Sequence, residues 1–259
     1  MQEITVVKVG GKVVETPESL QSLLNDFVAL PGLKILVHGG GRSATKIASQ
    51  LGVETKMVDG RRITDLETLK VVTMVYAGLV NKNIVASLQA LGANSVGLTG
   101  ADLNLIRAVK RPVKEIDYGY VGDVESVQVN ELMDLINKNV IPVVAPLTHD
   151  GKGNMLNTNA DTMASSLACA LAEHYKVNLV YCFEKKGVLS NPDDDDAVIP
   201  VLTHKLFKEH QQSGVIAEGM IPKLDNGFNA IKAGVAKVNI TNTEGLKGGL
   251  NTGTLLKDE

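Results

Sequence analysis

The chain has 259 residues, 44% of them hydrophobic, with a formal net charge of −3, enough apolar side chain for one large α/β domain or two closely packed lobes. Acidic and basic residues nearly balance and the pI is near 6.0, which speaks against a nucleic-acid or anionic-membrane surface, since either needs clustered Lys and Arg. Two cysteines without CxxC spacing, no apolar run near the ~20 residues of a bilayer span, no signal peptide and a start directly in a strand predict a cytoplasmic protein with reduced thiols.

Ile4 to Val9 is a β-branched, buried strand ending in Lys8-Val9-Gly10-Gly11, and Lys34 to Val37 is a second one, ending in His38-Gly39-Gly40-Gly41. Amphipathic segments follow each, Pro17 to Leu30 and Arg42 to Leu51, so both glycine turns are expected at helix N-termini. There glycine lets backbone approach a ligand, and free N–H groups with the helix dipole favour anions. One such turn alone reads equally well as an ordinary connection; two, one carrying a lysine, point to phosphate. Neither G-x-x-x-x-G-K-[ST] nor G-x-G-x-x-G occurs, which argues against a P-loop NTPase or a Rossmann dehydrogenase. With no Trp and 3% aromatics, a bound adenine would lie among aliphatic side chains.

Thr55 to Thr64 is extended and turns at Gly60; in a strand, Arg61 and Arg62 face opposite sides, so only one enters a given pocket. Thr64-Asp65-Leu66-Glu67 is a capping-type start to a long helix over Leu66 to Leu91, with Gly78 as its expected break. Asn94 to Leu98 is a strand. Leu105 to Val129 reads as hairpins bracketed by Pro and Gly, an excursion that would form a lid over substrate or a solvated surface. Val129 to Asn137 is helical and Val140 to Ala145 a strand buried on both faces. Asn157, Asn159 and Asp161 alternate after the tight turn Asp150 to Asn154, and would share one face if extended; Asn159 or Asp161 equally suits an N-cap for the helix Thr162 to Ala172. Val177 to Phe183 is a strand. The acidic loop Asn191 to Asp196 lacks EF-hand spacing and reads as a solvated turn. A helix Thr203 to Gln212, a linker Gly214 to Gly219, a helix Leu224 to Ala233 and strands Val235 to Ile240 and Gly253 to Leu256 complete the pattern. Alternating strands and helices imply α/β with a mainly parallel central sheet.

The ordered set Lys8-Val9-Gly10-Gly11, His38-Gly39-Gly40-Gly41, Gly60-Arg61-Arg62-Ile63-Thr64, Asn157-Thr158-Asn159-Ala160-Asp161 and Gly219-Met220-Ile221-Pro222-Lys223 resembles the amino-acid kinase family over nearly the whole chain. The resemblance implies an αβα sandwich of carbamate kinase-like fold, a single domain with an acyl-amino-acid lobe over roughly 1–174 and a nucleotide lobe over roughly 175–259. It implies that Lys8 and Lys223 stabilise the transferring phosphoryl group and that Asp161 orients both. Gly40, Gly41, Arg62 and Asn157 would hold the acylated substrate, with Arg62 on a carboxylate. Gly11 would lie on a phosphate loop, and Glu184, Gly187, Leu189, Val215 and Ala217 would line the nucleotide. This chain has Phe183-Glu184-Lys185-Lys186 where family members often carry an aspartate and small residues.

The reaction implied is transfer of the γ-phosphoryl of ATP to the side-chain carboxylate of N-acetyl-L-glutamate in arginine biosynthesis. N-succinyl-L-glutamate or an aminoadipate derivative is the alternative acceptor, and a non-catalytic nucleotide or amino-acid sensor the reading from another class. Mg²⁺ is expected on the nucleotide phosphates with no protein metal site, and neither nucleic acid nor membrane as a partner. His38 is expected to be packed rather than catalytic. The extra N-terminal helix of arginine-inhibited, hexameric relatives is missing, which predicts a homodimer on the Leu66 to Leu91 region, insensitive to arginine.

Overall fold

The computed structural model describes residues 1–58, 60–191, 193–216, 218–247, 250 and 252–258. Strand β1 (Glu3–Val9) leads through α1 (Gly11–Glu15) and α2 (Pro17–Ala29) to β2 (Leu33–His38) and α3 (Gly41–Gln50). A hairpin of β3 (Lys56–Val58) and β4 (Arg61–Ile63) precedes α4 (Leu66–Thr73), a π-helical segment (Met74–Val80) and α5 (Asn81–Ala90). Then come β5 (Ser95–Leu98), β6 (Ile106–Lys110), β7 (Gly122–Val127), α6 (Asn130–Asn137), β8 (Ile141–Val144), β9 (Leu147–His149) and β10 (Met155–Asn157). The remainder is α7 (Ala160–Leu171), β11 (Lys176–Cys182), β12 (Val201–Thr203), α8 (His204–Gln212), α9 (Ile221–Lys232), β13 (Lys237–Thr241), α10 (Thr243–Lys247) and β14 (Thr254–Lys257).

Among the described residues, the central sheet has eight strands in the order β12-β14-β13-β11-β1-β2-β8-β5. Its pairs are parallel except β13 with β14. Parallel strands covered on both faces read as continuous apolar runs, and β1 shows why. Ile4 and Val6 join one core with Met163 and Leu167 of α7 and Leu224 and Phe228 of α9. Val7 and Val9 face the other way, into a core with Leu23, Leu24 and Phe27 of α2 and Ile84 and Leu88 of α5. Each such side chain, removed from water, stabilises the fold by about 1.5–3 kcal/mol. The sheet therefore lies between two helical layers, with the carboxyl ends of β11, β1, β2 and β8 along one edge, where open α/β sheets bind ligands.

The structure sharpens three sequence expectations. The helix after Asp65 does not break at Gly78; it passes through the π-helical segment and continues to Ala90. By length and composition alone the helix Leu66–Ala90 is apolar enough to cross a bilayer, although no uninterrupted apolar run in it is that long. In the fold Val72, Val75, Ile84 and Leu88 of this helix are buried in the core beside the sheet. Asn157, Asn159 and Asp161 do not share one extended face: Asn157 ends β10, Asn159 caps α7 by accepting from the N–H groups of Asp161 and Thr162, and Asp161 lies in the first helical turn. The cap is the stronger local signal, since its carbonyl satisfies two otherwise orphaned donors.

Among the described residues, the excursion between β5 and α6 supplies β6 and β7 of a second, four-stranded sheet, β10-β9-β6-β7, whose other two strands follow β8. It is tied to the Arg62 strand through Thr64, whose N–H donates to Tyr118 O (3.0 Å) and whose carbonyl accepts from Tyr120 N–H (2.7 Å). Gly119 sits inside this clasp at φ +69, and a Cβ there would lie 2.2 Å from the Thr64 carbonyl oxygen. Gly119→Ala is therefore expected to cost about 2 kcal/mol or more. Gly52 also has positive φ (+71) but nothing within 4 Å, so Gly52→Ala should cost only about 1 kcal/mol; urea midpoints of both variants check the difference.

Candidate active site

Lys8 is the penultimate residue of β1, Asp161 the second of α7 and Lys223 the third of α9. The fold brings these three together. Lys8 Nζ is 2.7 Å from Asp161 Oδ1, and Lys223 Nζ is 2.9 Å from Asp161 Oδ2. Lys8 and Asp161 are almost fully buried, while the Lys223 side chain keeps 24% of its surface. Burial pushes the Asp161 carboxyl up, but the charges of Lys8 and Lys223 and their hydrogen bonds outweigh it and hold it below the ordinary value. Two cations around one carboxylate leave the site positive, beside the N-termini of α7 and α9, whose free N–H groups add to that field.

The glycine turn after β2 forms the neighbouring wall. Gly40 is the N-cap of α3 and Gly41 its first residue. Ser43 N–H is taken by the Glu15 carboxylate (2.9 Å), while the N–H groups of Gly41 and Arg42 have no helical acceptor by geometry. Arg62 is buried and Arg61 exposed, as alternation in β4 requires. Arg62 Nη2 donates to Gly41 O (2.8 Å) and Thr45 Oγ1 (2.9 Å), whereas Nη1 is buried with no partner. A buried guanidinium N–H without an acceptor is costly, so this nitrogen marks where an anionic oxygen belongs. Asn157 donates from Nδ2 to Thr64 Oγ1 (3.0 Å), which sets it beside the Arg62 strand.

Residues that sequence reasoning passed over line the same wall. Tyr76 is buried under Gly40; burial pushes its phenol up, partly offset by the charge of Arg62. Thr45 and Thr64 hold Arg62 and Asn157. Its being the one aromatic side chain of the helix Leu66–Ala90 was the available signal for Tyr76. His38 is fully buried, as expected, and is pushed down to about 4, chiefly by burial.

The expected nucleotide positions are less closely assembled. Gly11 opens α1 next to the end of β1, and Glu184 is exposed just past β11 at the same edge. Gly187 is buried for packing: a Cβ would lie 2.7 Å from Thr254 Oγ1 and 2.8 Å from Val198 Cγ1. Leu189 pairs with Val198 in an antiparallel bridge, and Val215 N–H donates to His210 O (3.1 Å). Ala217 lies outside the described residues, as does Pro192 of the acidic loop. Among the described residues, no hydrogen bond or ion pair joins these positions to Asp161, and none of the His, Cys, Asp and Glu side chains group as a metal site. In the acidic loop Asp195 and Asp196 pair instead with Lys185 and Lys186. A cleft of about 590 Å³ lined by Arg107, His149 and Asn154 opens on the second sheet and contains none of these site residues.

Residues 3–242 match the amino acid kinase family. An acetylglutamate kinase from Bacteroides thetaiotaomicron is 65% identical over 256 residues, covering 99% of each chain. The crystal structure of smu.665 from Streptococcus mutans UA159 superposes with a TM-score of 0.81 at 30% identity, over 99% of each chain. The carbamate kinase from Giardia lamblia bound to AMP-PNP shares the fold, with a TM-score of 0.72 and 14% identity over 99% of this chain and 98% of its own. The chain belongs to the amino acid kinase family.

Removing the central carboxylate by Asp161→Asn should cost about 3 kcal/mol at pH 7, because two ammonium groups lose their partner. The folded carboxyl sits below its unfolded value, so the wild-type advantage is whole above about pH 4 and fades as pH falls through the folded value. Urea unfolding of both proteins at stepped pH checks size and direction.

Proposed function

We propose that the chain transfers the γ-phosphoryl group of ATP to the side-chain carboxylate of N-acetyl-L-glutamate, forming an acyl phosphate in arginine biosynthesis. The observation that carries the reading is the Asp161 carboxylate with one lysine on each oxygen. The acceptor is ionised at neutral pH, so the reaction needs no general base. Its barrier lies in bringing one anion in line with another, and what a protein supplies is positive charge and alignment. Lys8 and Lys223 supply the charge on the equatorial and leaving oxygens, and Asp161 holds them apart in fixed positions. The unpartnered Arg62 Nη1 takes a carboxylate of the acyl amino acid, Asn157 an adjacent polar group, and the backbone of Gly40 and Gly41 closes the pocket. Gly11 faces the phosphates; Glu184, Gly187, Leu189, Val215 and Ala217 belong to the nucleotide side.

The arrangement suits Mg²⁺ carried by the ATP phosphates. Asp161, the carboxylate at the centre of the site, has both oxygens engaged by lysines, and Mg²⁺ bound to phosphates keeps several waters and needs few protein ligands. The ion adds neutralising charge on the phosphates. For the acyl group, a second carboxylate would need its own buried cation; Arg42, Lys46 and Arg61 are all exposed, which supports acetyl over succinyl. Two unpaired cysteines accord with a cytoplasmic setting.

ATP turnover with N-acetyl-L-glutamate, N-succinyl-L-glutamate and an aminoadipate derivative tests the reading, with the acetyl compound expected to have the highest kcat/KM. In the same assay Lys8→Ala and Lys223→Ala should lower kcat on the order of 10²-fold with little change in KM. Arg62→Lys should raise KM for the acyl amino acid and leave KM for ATP nearly unchanged. No turnover with any acceptor would leave a sensor, and near-normal kcat in a lysine variant would remove that residue from the mechanism.

We also infer a homodimer. Leu66, Met74 and Leu79 are at least half exposed on one long helix (50%, 55% and 50%), apolar surface that a second copy would cover. Sedimentation should give twice 27.5 kDa, and the double variant Met74→Asp, Leu79→Asp should sediment as the single chain.

A further inference from the structure

The π-helical segment Met74–Val80 lies against the turn that leaves β2. Such segments widen one helical turn and recur at functional sites. Here two of its side chains reach the same glycine. A Cβ on Gly40 would lie 3.0 Å from Tyr76 Cδ1 and 3.5 Å from Val80 Cγ2. Asn81, the first residue past the segment, is buried and donates from Nδ2 to Val143 O (2.9 Å), with His38 Nε2 3.1 Å from the same nitrogen. Gly97 makes room for it, since a Cβ there would meet Asn81 Oδ1 at 1.8 Å.

These contacts fix the proton on His38. Val143 O only accepts, so the nitrogen of the Asn81 amide faces it. That nitrogen also faces His38 Nε2, which must then be the acceptor. The imidazole proton is therefore on Nδ1, where it donates to Gly39 O at 2.7 Å. A rigid chain of donors runs from the helix through a neutral, buried ring to the backbone of the glycine turn. An imidazolium would face the Asn81 N–H groups with a second donor, and burial further disfavours it.

We propose that His38 and Asn81 are positioning residues of the phosphoryl-transfer site: through the Asn81–His38–Gly39 chain they hold the Gly39–Gly41 backbone in the geometry that receives the acyl amino acid, with Tyr76 as its floor. The proposal rests on the kinase reading of this site. It accounts for a buried amide and a buried imidazole that take no part in charge neutralisation or proton transfer.

The test compares wild type, His38→Asn, His38→Gln, Asn81→Leu and the double variant His38→Asn, Asn81→Leu. Steady-state kinetics for N-acetyl-L-glutamate and ATP and urea midpoints are measured on the same preparations. His38→Asn keeps a donor for Gly39 but loses the acceptor for Asn81; His38→Gln keeps the acceptor but loses the donor for Gly39. The expected result is a fall in kcat/KM for the acyl amino acid of about tenfold in His38→Asn and in Asn81→Leu, with KM for ATP within about twofold. The double variant should fall no further than the worse single one, and His38→Gln, which breaks the link to Gly39, should fall about as far as His38→Asn. Long-range ¹H–¹⁵N spectra of wild type, which has five histidines, should show one fixed neutral Nδ1–H ring at pH 7 whose shift moves on adding N-acetyl-L-glutamate. Additive losses, equal changes in both KM values, or a ring that titrates like the others and ignores the acyl amino acid would overturn the proposal, and the spectra decide even where a variant does not fold. A wild-type protein without turnover would overturn the kinase reading instead.

Discussion

A carboxylate with an ammonium group on each oxygen joins three parts of the chain that lie far apart in sequence: the end of the first strand, the start of α7 and the start of α9. Removing such groups from water costs several kcal/mol per ion, and their attraction only roughly offsets it, so the cluster adds little to stability over an apolar core. Its value is positional. Long lysine side chains lose much rotamer freedom when fixed, and here that loss is taken during folding rather than when ATP arrives. The site thus meets an incoming polyanion with charge already in place, a form of electrostatic preorganisation.

The sheet explains why the cluster can exist. Lys8 belongs to a strand whose other side chains, Glu3 and Thr5 apart, are apolar on both faces, and its ammonium emerges at the carboxyl edge, where α7 and α9 begin. Asp161 there sits in a first helical turn, favoured by the dipole, and Asn159 secures that turn from below. The same edge carries the glycine turn of β2 and the buried Arg62. On the proposed reading, two kinds of anion, a phosphate and a carboxylate, would face two differently built walls: point charges on one side, a planar guanidinium with backbone donors on the other.

Much of this was legible in the sequence where chemistry and local geometry coincide. Glycines after β-branched runs mark close backbone approach, and the Arg61-Arg62 pair separates by strand alternation alone. Asp161 was readable as a residue of the site but not as the second residue of a helix, because an extended alternation with Asn157 competed with the Asn159 cap. The π-helical segment has no residue signature, so the inward turn of Tyr76 and Asn81 could not be foreseen from a 3.6-residue period. The apolar length of that helix was hidden by scattered polar residues such as Asn81 and Lys82, which a count of uninterrupted runs treats as breaks. On the nucleotide side the residue types are those of ordinary packing, as Gly187 against Thr254 illustrates.

The position of β1 also sets a timetable for the chain's birth. Its two neighbours are β2, which follows closely, and β11, to which Glu3 is matched at Lys176. At the usual pace of about 5–20 residues per second, the Lys8 strand would wait on the order of ten seconds for its second partner during synthesis. For that interval one edge of an apolar strand is open, the condition under which neighbouring chains pair wrongly. β14 lies between β12 and β13, so the half of the sheet beyond β11 is likewise completed only by a late strand. A nascent chain of this protein would thus be most exposed to misassociation while its N-terminal half is already made, and slowing translation after α7 would lengthen that exposure rather than help the fold along.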